Sequence, residues 1–514
     1  MKKLQYLLLF CGLGLMSCKK VIDLYPQSNL NTGTYYTNVE EVKAGLTGAY
    51  NGLQRPMLYE WQLTELRTDN SKQGAPASTA STNRELSDLD MFIPNTSHPT
   101  IYNYWLATYN NIRNANIILQ RLGVAYDPAA GSISLSPITI PITETDRKQL
   151  AGEALFIRAY HYFNLVRLFG GVMLVYEPIS PAQSKTMNRV PEADIYKLIQ
   201  ADLTTASQWM NQLKFTQMAS ADLGRATSWA AKGMLAKVYL TLNRKAEAIT
   251  LLQDVITNSG YSMQASYNNV FSINNEMNSE IMFAVRYKAG GLGLGSSFAN
   301  TFAPLGTGSN VINGDGDGLN YPTADLDTAV VATDARRALL IATYGTGATT
   351  KFYTRKFFSA VIITDDAEND WPVLRYADIL LMLAEAQGYS PASVGLINQV
   401  RSRSLPALDP AVINNTALFE RALAEERRIE FAFENQRFFD LVRFNTTMTT
   451  ITAEQIIKDH FADEYATHYS RYLDPTPTLA QLQGYVTRQK LLLPIPQREI
   501  DTNTQLVIEQ NPGY

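Results

Sequence analysis

The stretch RATSWAAKGMLAKVYLTL (residues 225–242) is followed, after two residues, by KAEAITLLQDVITN (residues 245–258). Apolar residues recur at three- and four-residue intervals in both, the spacing of one helix face. Ala230, Gly233, Ala236, Tyr239 and Leu240 lie on the first segment; Ala246, Ala248, Ile249, Leu252 and Val255 lie on the second. Small residues set among Tyr and Leu let two helices approach closely. The pattern predicts a helical hairpin with a two-residue turn.

That spacing is similar to a tetratricopeptide repeat, whose period is about 34 residues. Such repeats cannot bury their faces alone and stack into a superhelix. Further helices are predicted upstream over residues 39–54, 102–122, 146–169 and 192–213. Downstream, residues 372–387 pair with 393–403, and 418–434 with 436–444. The helical pairs therefore occupy about 39–260 and 371–446. They bracket an irregular lobe at about 261–370, rich in Gly, Asn, Thr and aromatics. Strand-like runs within it lie at 280–287 and 351–358. A loop of this length without its own structure is unusual inside a compact domain, so a functional lobe on a helical scaffold is expected. Two other irregular segments run over 68–99 and 127–141, the latter a surface excursion.

The chain starts with Lys2 and Lys3, then a short apolar run, then Leu15-Met16-Ser17-Cys18. A basic start and an apolar stretch too short to span a bilayer form an export signal. The ending fits the bacterial lipobox, so residues 1–17 read as a signal peptide and Cys18 as the acylated first residue of a single domain over 18–514. The chain has two cysteines, Cys11 and Cys18. Cleavage leaves Cys18 alone, which removes disulfides and thiolate metal sites from consideration. Net charge is −4, and loss of Lys2 and Lys3 gives −4 − 2 = −6. Mixed charge without a basic patch argues against nucleic acid binding.

Catalytic signatures are missing from the sequence. His98, His161, His460 and His468 show no zinc-ligand spacing, and no Walker loop, dinucleotide fingerprint or nucleophile elbow is found. The run 290–295 is a glycine-rich flexible loop. Asp315 and Asp317 stand as a weak calcium pair. An EF-hand would need different residues at Leu319 and Asn320, so a tight Asp-Gly turn is the other reading. The Glu425 and Glu426 carboxylates point in different directions on a helix, and Arg421, Glu425 and Arg428 are spaced for ion pairs. These features favour a binding protein without a cofactor over an enzyme.

Several stretches together resemble the SusD/RagB outer-membrane lipoproteins of Bacteroidetes. They are ALFIRAY (154–160) with LFGGV (168–172), WPVLRYADILLMLAEA (371–386), EERRIEF (425–431) with RFFDLVR (437–443), and the tail over 490–514, from LPIP (493–496) to QNPGY (510–514). The resemblance implies a mainly α fold: tetratricopeptide-like helix pairs in a right-handed superhelical scaffold, with a loop-rich, irregular ligand-binding lobe. It implies a SusC-like TonB-dependent transporter as partner, an outer-membrane address at the cell surface through the lipid anchor, and nutrient capture without catalysis. Glycans are the expected cargo; oligopeptides are the alternative, and a lipid-anchored hydrolase the least favoured reading. The charged residues of these motifs, among them Arg375, Asp378, Glu385, Arg427, Arg428 and Glu430, read as packing residues.

By the same resemblance, ligand contacts come from the first long loop and the later lobe. The loop offers Asp69, Asn70, Arg84, Phe92 and Asn95; the lobe offers Tyr287, Phe298, Phe302, Asn313 and Tyr321. Aromatic faces would stack on a sugar ring while Asp, Asn and Arg bond its hydroxyls. Neither stretch holds a Trp, so Tyr and Phe would have to serve. For the anchor, Cys18→Ala is expected to abolish incorporation of labelled fatty acid in growing cells; undiminished labelling would make Cys18 incidental.

Overall fold

The computed structural model describes residues 35–74, 83–472, 476–503 and 505–514. The signal peptide and Cys18 lie outside the described residues. Helices of seven residues or more are numbered here as α1 (Val39–Asn51), α2 (Gln54–Thr64), α3 (Arg84–Asp90), α4 (Pro99–Arg121), α5 (Glu144–Phe169), α6 (Glu192–Trp209), α7 (Ser228–Thr241) and α8 (Lys245–Asn258). After the lobe come α9 (Tyr376–Gln387), α10 (Pro391–Arg401), α11 (Thr416–Glu430), α12 (Arg437–Thr447), α13 (Ala453–Glu464) and α14 (Leu479–Tyr485). The fold is mainly α, as expected.

Local chemistry sets the helix ends. Thr143, Thr227, Ser390 and Asn415 each accept a backbone N–H from the first turn of α5, α7, α10 and α11, the preferred N-cap arrangement. Helices α5 and α9 stop at Gly170 and Gly388, both with φ near +70°, a conformation that glycine adopts without a Cβ clash. From α4 to α10, each helix packs on the next along the chain, across the lobe as well: α8 lies against α9. Helix α5 is buried nearly all round from Leu150 to Phe169, which makes it the core helix of the array. Its Arg158 binds Asp202 of α6 through two hydrogen bonds of 2.7 and 2.8 Å.

Three expectations need correction. Residues 39–54 are not one helix: the chain breaks at Gly52, where a Cβ would come within 2.1 Å of the Asn111 side chain on α4. The surface excursion after residue 123 carries a hairpin, β2 (Val124–Asp127) against β3 (Ser132–Leu135). Residues 372–375 are not the start of a helix. Trp371–Arg375 forms strand β8, antiparallel to β4 (Ile281–Val285), with every residue of both strands buried. Pro372 disfavours helical backbone at Trp371, and a two-stranded sheet leaves an unpaired side where its missing N–H is harmless. Gly233 of α7 has its place here: a Cβ would lie 2.8 Å from Leu374 and 2.9 Å from Ile379. The small-residue face thus admits β8 and α9.

Strands β4 and β8 close the base of the lobe, and a buried ion network locks them to the helices. The Arg375 guanidinium binds Glu280 (2.7 Å), Glu430 (2.8 Å) and Glu434 (2.8 Å). Arg403 bridges Glu280 and Glu430 at 2.6 Å each. From the lobe, Arg336 reaches Glu426 and Glu430, and Lys356 reaches Glu434. Burial opposes ionisation of Glu430, but Arg403, Arg375 and Arg336 outweigh it and hold the carboxyl down at about 2. Burial pushes Lys356 down to about 8 despite Glu434. A second cluster joins Lys237, Asp378, Arg427, Asp440, Arg443 and Glu385 between α7, α9, α11 and α12. The motif charges are thus packing residues. Removing one partner leaves buried charge uncompensated, so Arg375→Ala is expected to cost about 3–5 kcal/mol in denaturant unfolding; a loss below about 1 kcal/mol would show that the network contributes no more than a surface pair.

Candidate functional site

The first loop and the lobe meet. Ser71–Lys72 (β1) pairs antiparallel with Tyr321–Pro322 (β5), Ser71 opposite Pro322 and Lys72 opposite Tyr321. Glu464 of α13 holds both sides: its carboxylate binds the Lys72 ammonium at 2.5 Å and accepts the Ala324 backbone N–H. At Gly74 a Cβ would lie 2.1 Å from the Gly318 carbonyl oxygen and 2.9 Å from the Tyr321 ring. Only glycine lets the loop cross the lobe this closely. A hairpin of β6 (Ala342–Tyr344) and β7 (Lys351–Tyr353) follows, with β7 beside β5.

Asp69 and Asn70 tie the loop down from below and present no surface. The Asp69 carboxylate binds Arg437 (2.7 Å) and Arg428 (3.1 Å). Burial opposes its ionisation, yet these guanidiniums hold its carboxyl well below the usual range. Asn70 accepts from Arg428 at 2.8 Å, and its carbonyl accepts the Thr323 N–H of the lobe at 3.1 Å. Arg428 also binds Asp325 at 2.6 Å, whereas its contact with Glu425 is 3.9 Å. The spacing of Glu425 and Arg428 thus yields a long ion pair, and the tertiary fold gives Arg428 its shorter partners.

The expected aromatic platform is core. Phe92, Tyr287, Phe298 and Phe302 are all buried. Phe298 packs on Trp371 with centroids 4.5 Å apart, Phe357 stacks on Trp371 at 4.3 Å, and Phe302 meets Trp61 edge-on at 5.2 Å. Phe92 lies under the Arg67 guanidinium at 4.9 Å and packs against Phe461. Phe302 holds the lobe against Trp61 of α2, and Phe92 holds the first loop against Phe461 of α13.

The remaining polar candidates lie at or near the surface. Arg84 pairs with Asp88 at 2.8 Å, Asn95 accepts the Ser97 N–H at 2.8 Å, and Asn313 donates to the Ile362 carbonyl at 2.9 Å. Asp315 accepts N–H bonds from Gly316 (2.8 Å), Thr307 (2.9 Å) and Gly306 (3.2 Å). Those donors lower its carboxyl, Gly316 most, so Asp315 organises its own loop. Asp317 as a whole residue is exposed, but its carboxyl is partly covered and is raised, by burial first and then by Asp365 and Asp315. Among the described residues no group of three His, Cys, Asp or Glu side chains is arranged to hold a metal.

Of the aromatic candidates, Tyr321 alone stays half-exposed at the seam. Its hydroxyl accepts the Leu305 N–H at 3.2 Å, and burial raises its pKa. Beside it stand residues the sequence did not single out. Leu305 is 47% exposed, Tyr344 is half-exposed, and Asn310 donates to the Tyr344 hydroxyl at 3.3 Å. Lys351, opposite Tyr344 in the hairpin, donates to the Leu305 carbonyl. The strand-like run at 351–358 was the one signal that marked this patch. It combines apolar contact area with a few placed polar groups, the composition of a ligand-binding surface.

The fold defines a mainly helical scaffold that carries an irregular lobe, and sequence comparison gives that class its family. The model of the SusD family matches residues 333–514, and that of a second group, described as "Starch-binding associating with outer membrane", matches residues 22–240. The chain belongs to the SusD/RagB family. SusD-like protein P25 of Formosa agariphila is 24% identical, with 97% of each chain covered. A SusD-like protein of Bacteroides ovatus is 24% identical over 94% of this chain and 93% of its own. A laminarin-binding SusD-like protein superposes with a TM-score of 0.73 at 23% identity, covering 93% of this chain and all of that one. Surface glycan-binding protein A of Bacteroides thetaiotaomicron, solved with laminarihexaose, gives 0.71 at 18% identity, covering 92% and 100%.

The seam generates a direct test. Gly74→Val is expected to open it, with hydrogen exchange at residues 71, 72, 321 and 323 accelerating at least about tenfold while α5 stays protected. Unchanged exchange would mean that the crossing tolerates a side chain at position 74.

Proposed function

We propose that the protein is a non-catalytic, lipid-anchored binding protein at the outer surface of the outer membrane. It captures oligo- or polysaccharide and passes it to a SusC-like TonB-dependent transporter. The observation that carries this reading is the seam: the first loop and the lobe, far apart in sequence, are stitched together and present Tyr321, Tyr344 and Leu305 beside Asn310 and Lys351. A half-exposed ring offers a face to the apolar side of a sugar, and the amide and ammonium offer donors to its hydroxyls. The glycan-binding relatives support the cargo class, and the lipobox at Cys18 supports the anchor. The outer-membrane description of the second group supports the address.

This assignment replaces the six buried candidates with the hairpin residues. Titration calorimetry against a polysaccharide panel that includes laminarin is expected to find a ligand. Tyr321→Ala combined with Tyr344→Ala should weaken it at least about tenfold, with no reducing ends released during the titration. Full affinity in the double variant would move the site elsewhere, and steady release of reducing ends would make the protein a hydrolase.

A further inference from the structure

A buried chain of hydrogen bonds clamps the first loop from the side of α3 and α13, and glycan capture leaves it without a task. Asp90, the last residue of α3, is its hub. One carboxylate oxygen accepts the Gln73 N–H of the loop (3.2 Å) and the Tyr472 hydroxyl (3.3 Å) and is met by His468 Nε2 (2.9 Å). The other accepts the Tyr469 hydroxyl at 2.8 Å. Behind Tyr469 lies His460 of α13, its Nε2 atom 2.8 Å from that hydroxyl. All six residues are buried.

This chain of bonds fixes the His460 tautomer. The Tyr469 hydroxyl has one hydrogen and gives it to Asp90, so it accepts from His460, whose proton is therefore on Nε2. Nδ1 keeps a bare lone pair, and that buried atom has no hydrogen-bond partner. A second proton would create a buried N–H that nothing accepts, a costly arrangement. Burial accordingly pushes the imidazole below its ordinary value, against the pull of Asp90, Glu464 and Asp69.

The other charges packed around His460 are engaged. On α13, Glu464 binds Lys72; burial opposes its ionisation, but Lys72 foremost holds its carboxyl below the usual range. In the first loop, Asp69 binds Arg437 and Arg428. The short helix Ala324–Ala329 packs on α13, with Asp325 bound to Arg428 and Asp327 to Arg337. On α12, Asp440 and Arg443 belong to the second ion cluster, and α14 brings no charge. A proton on His468 would strengthen its contact with Asp90. His460 is the member that a proton turns against the clamp.

We propose that His460 is an acid switch on the loop–lobe seam: a proton taken up at Nδ1 breaks the chain through Tyr469 and Asp90 and frees the first loop. Gln73 is the neighbour of Lys72, so losing the Asp90 hold reaches the β1–β5 pair directly. Opening lets the imidazolium reach water and takes up one proton. The clamp is at full strength above the ordinary histidine value of about 6.5. It weakens as pH falls through that value, about tenfold per unit at most, and stops weakening below the lower folded value. Release of a captured glycan in acid rests on the glycan reading of the seam; the opening itself does not.

The test follows hydrogen exchange of the mature chain between about pH 8 and about pH 5, on either side of the ordinary histidine value, with intrinsic exchange rates divided out. Protection of the Gln73, Thr323 and Ala324 amides, which bind Asp90, the Asn70 carbonyl and Glu464, is expected to hold down to about pH 7 and then fall by up to about tenfold per unit, while α5 stays protected. His460→Gln keeps a donor for Tyr469 but cannot take the second proton, so its protection should be the same at both ends. His468→Gln should keep the acid response. Exchange of the imidazole C2 hydrogens, read by mass spectrometry on the unmutated chain, should place His460 below about 6.5, and this decides the matter even if the Gln variant does not fold. Laminarin affinity, measured by calorimetry at both ends, should fall with the protection and hold in His460→Gln. Because exchange needs no ligand, absence of laminarin binding at every pH would count against the glycan reading alone. Protection independent of pH, an unchanged acid response in His460→Gln, a response lost only in His468→Gln, or a His460 that titrates at or above the ordinary value would each overturn the switch.

Discussion

The architecture depends on one buried cation. Arg375 sits at the end of strand β8 with carboxylates around it from the first part of the lobe (Glu280), from helix α11 (Glu430) and from the turn after that helix (Glu434). Taking these charges out of water is costly, and their mutual attraction offsets that cost only when every donor and acceptor is placed. Here the fork of the guanidinium is filled on all sides, while Arg403, Arg336 and Lys356 neutralise the remaining carboxylate oxygens. Such an arrangement fixes geometry more than it adds stability. The lobe can dock in one register, because any other would strand charges in the core.

That constraint explains how an insertion of about a hundred residues sits on a helical array without interrupting it. Helix α9 packs on α8 as though the lobe were absent, because β4 and β8 bring the chain back to where it left. The aromatic cluster around Trp371 then glues the lobe to α2, and Asp69 and Asn70 bind the first loop to α11. The seam between loop and lobe is built on these anchors. Its binding surface is therefore carried by loops, as capture surfaces usually are, but by loops fixed from below at several points.

The division of labour among aromatics follows from the same design. A chain with 28 Tyr and 20 Phe has far more rings than a ligand site needs. Rings in the base of the lobe are the most apolar means of holding loop-rich backbone to a helical scaffold, so Phe298, Phe302 and Tyr287 are consumed there. Those left at the surface, Tyr321 and Tyr344, are held by hydroxyl hydrogen bonds to the loops they serve.

The sequence by itself determined the helices, their order and the family. Helical periodicity and capping are local, and the charged motifs are so specific that they point to packing partners before those partners are seen. It also located the two segments that meet, residues 68–99 and the lobe. What it could not decide was which side chains face outward. Strand β8 was misread because an apolar run of buried residues has no period that separates strand from helix. Phe298 and Tyr321 both look like platform residues in a glycine-rich stretch, and only the tertiary structure buries one and exposes the other. Burial depends on what the rest of the chain brings alongside. Here the aromatic cluster at Trp371 covers the first, and the crossing of Gly74 and the β6–β7 hairpin frame the second.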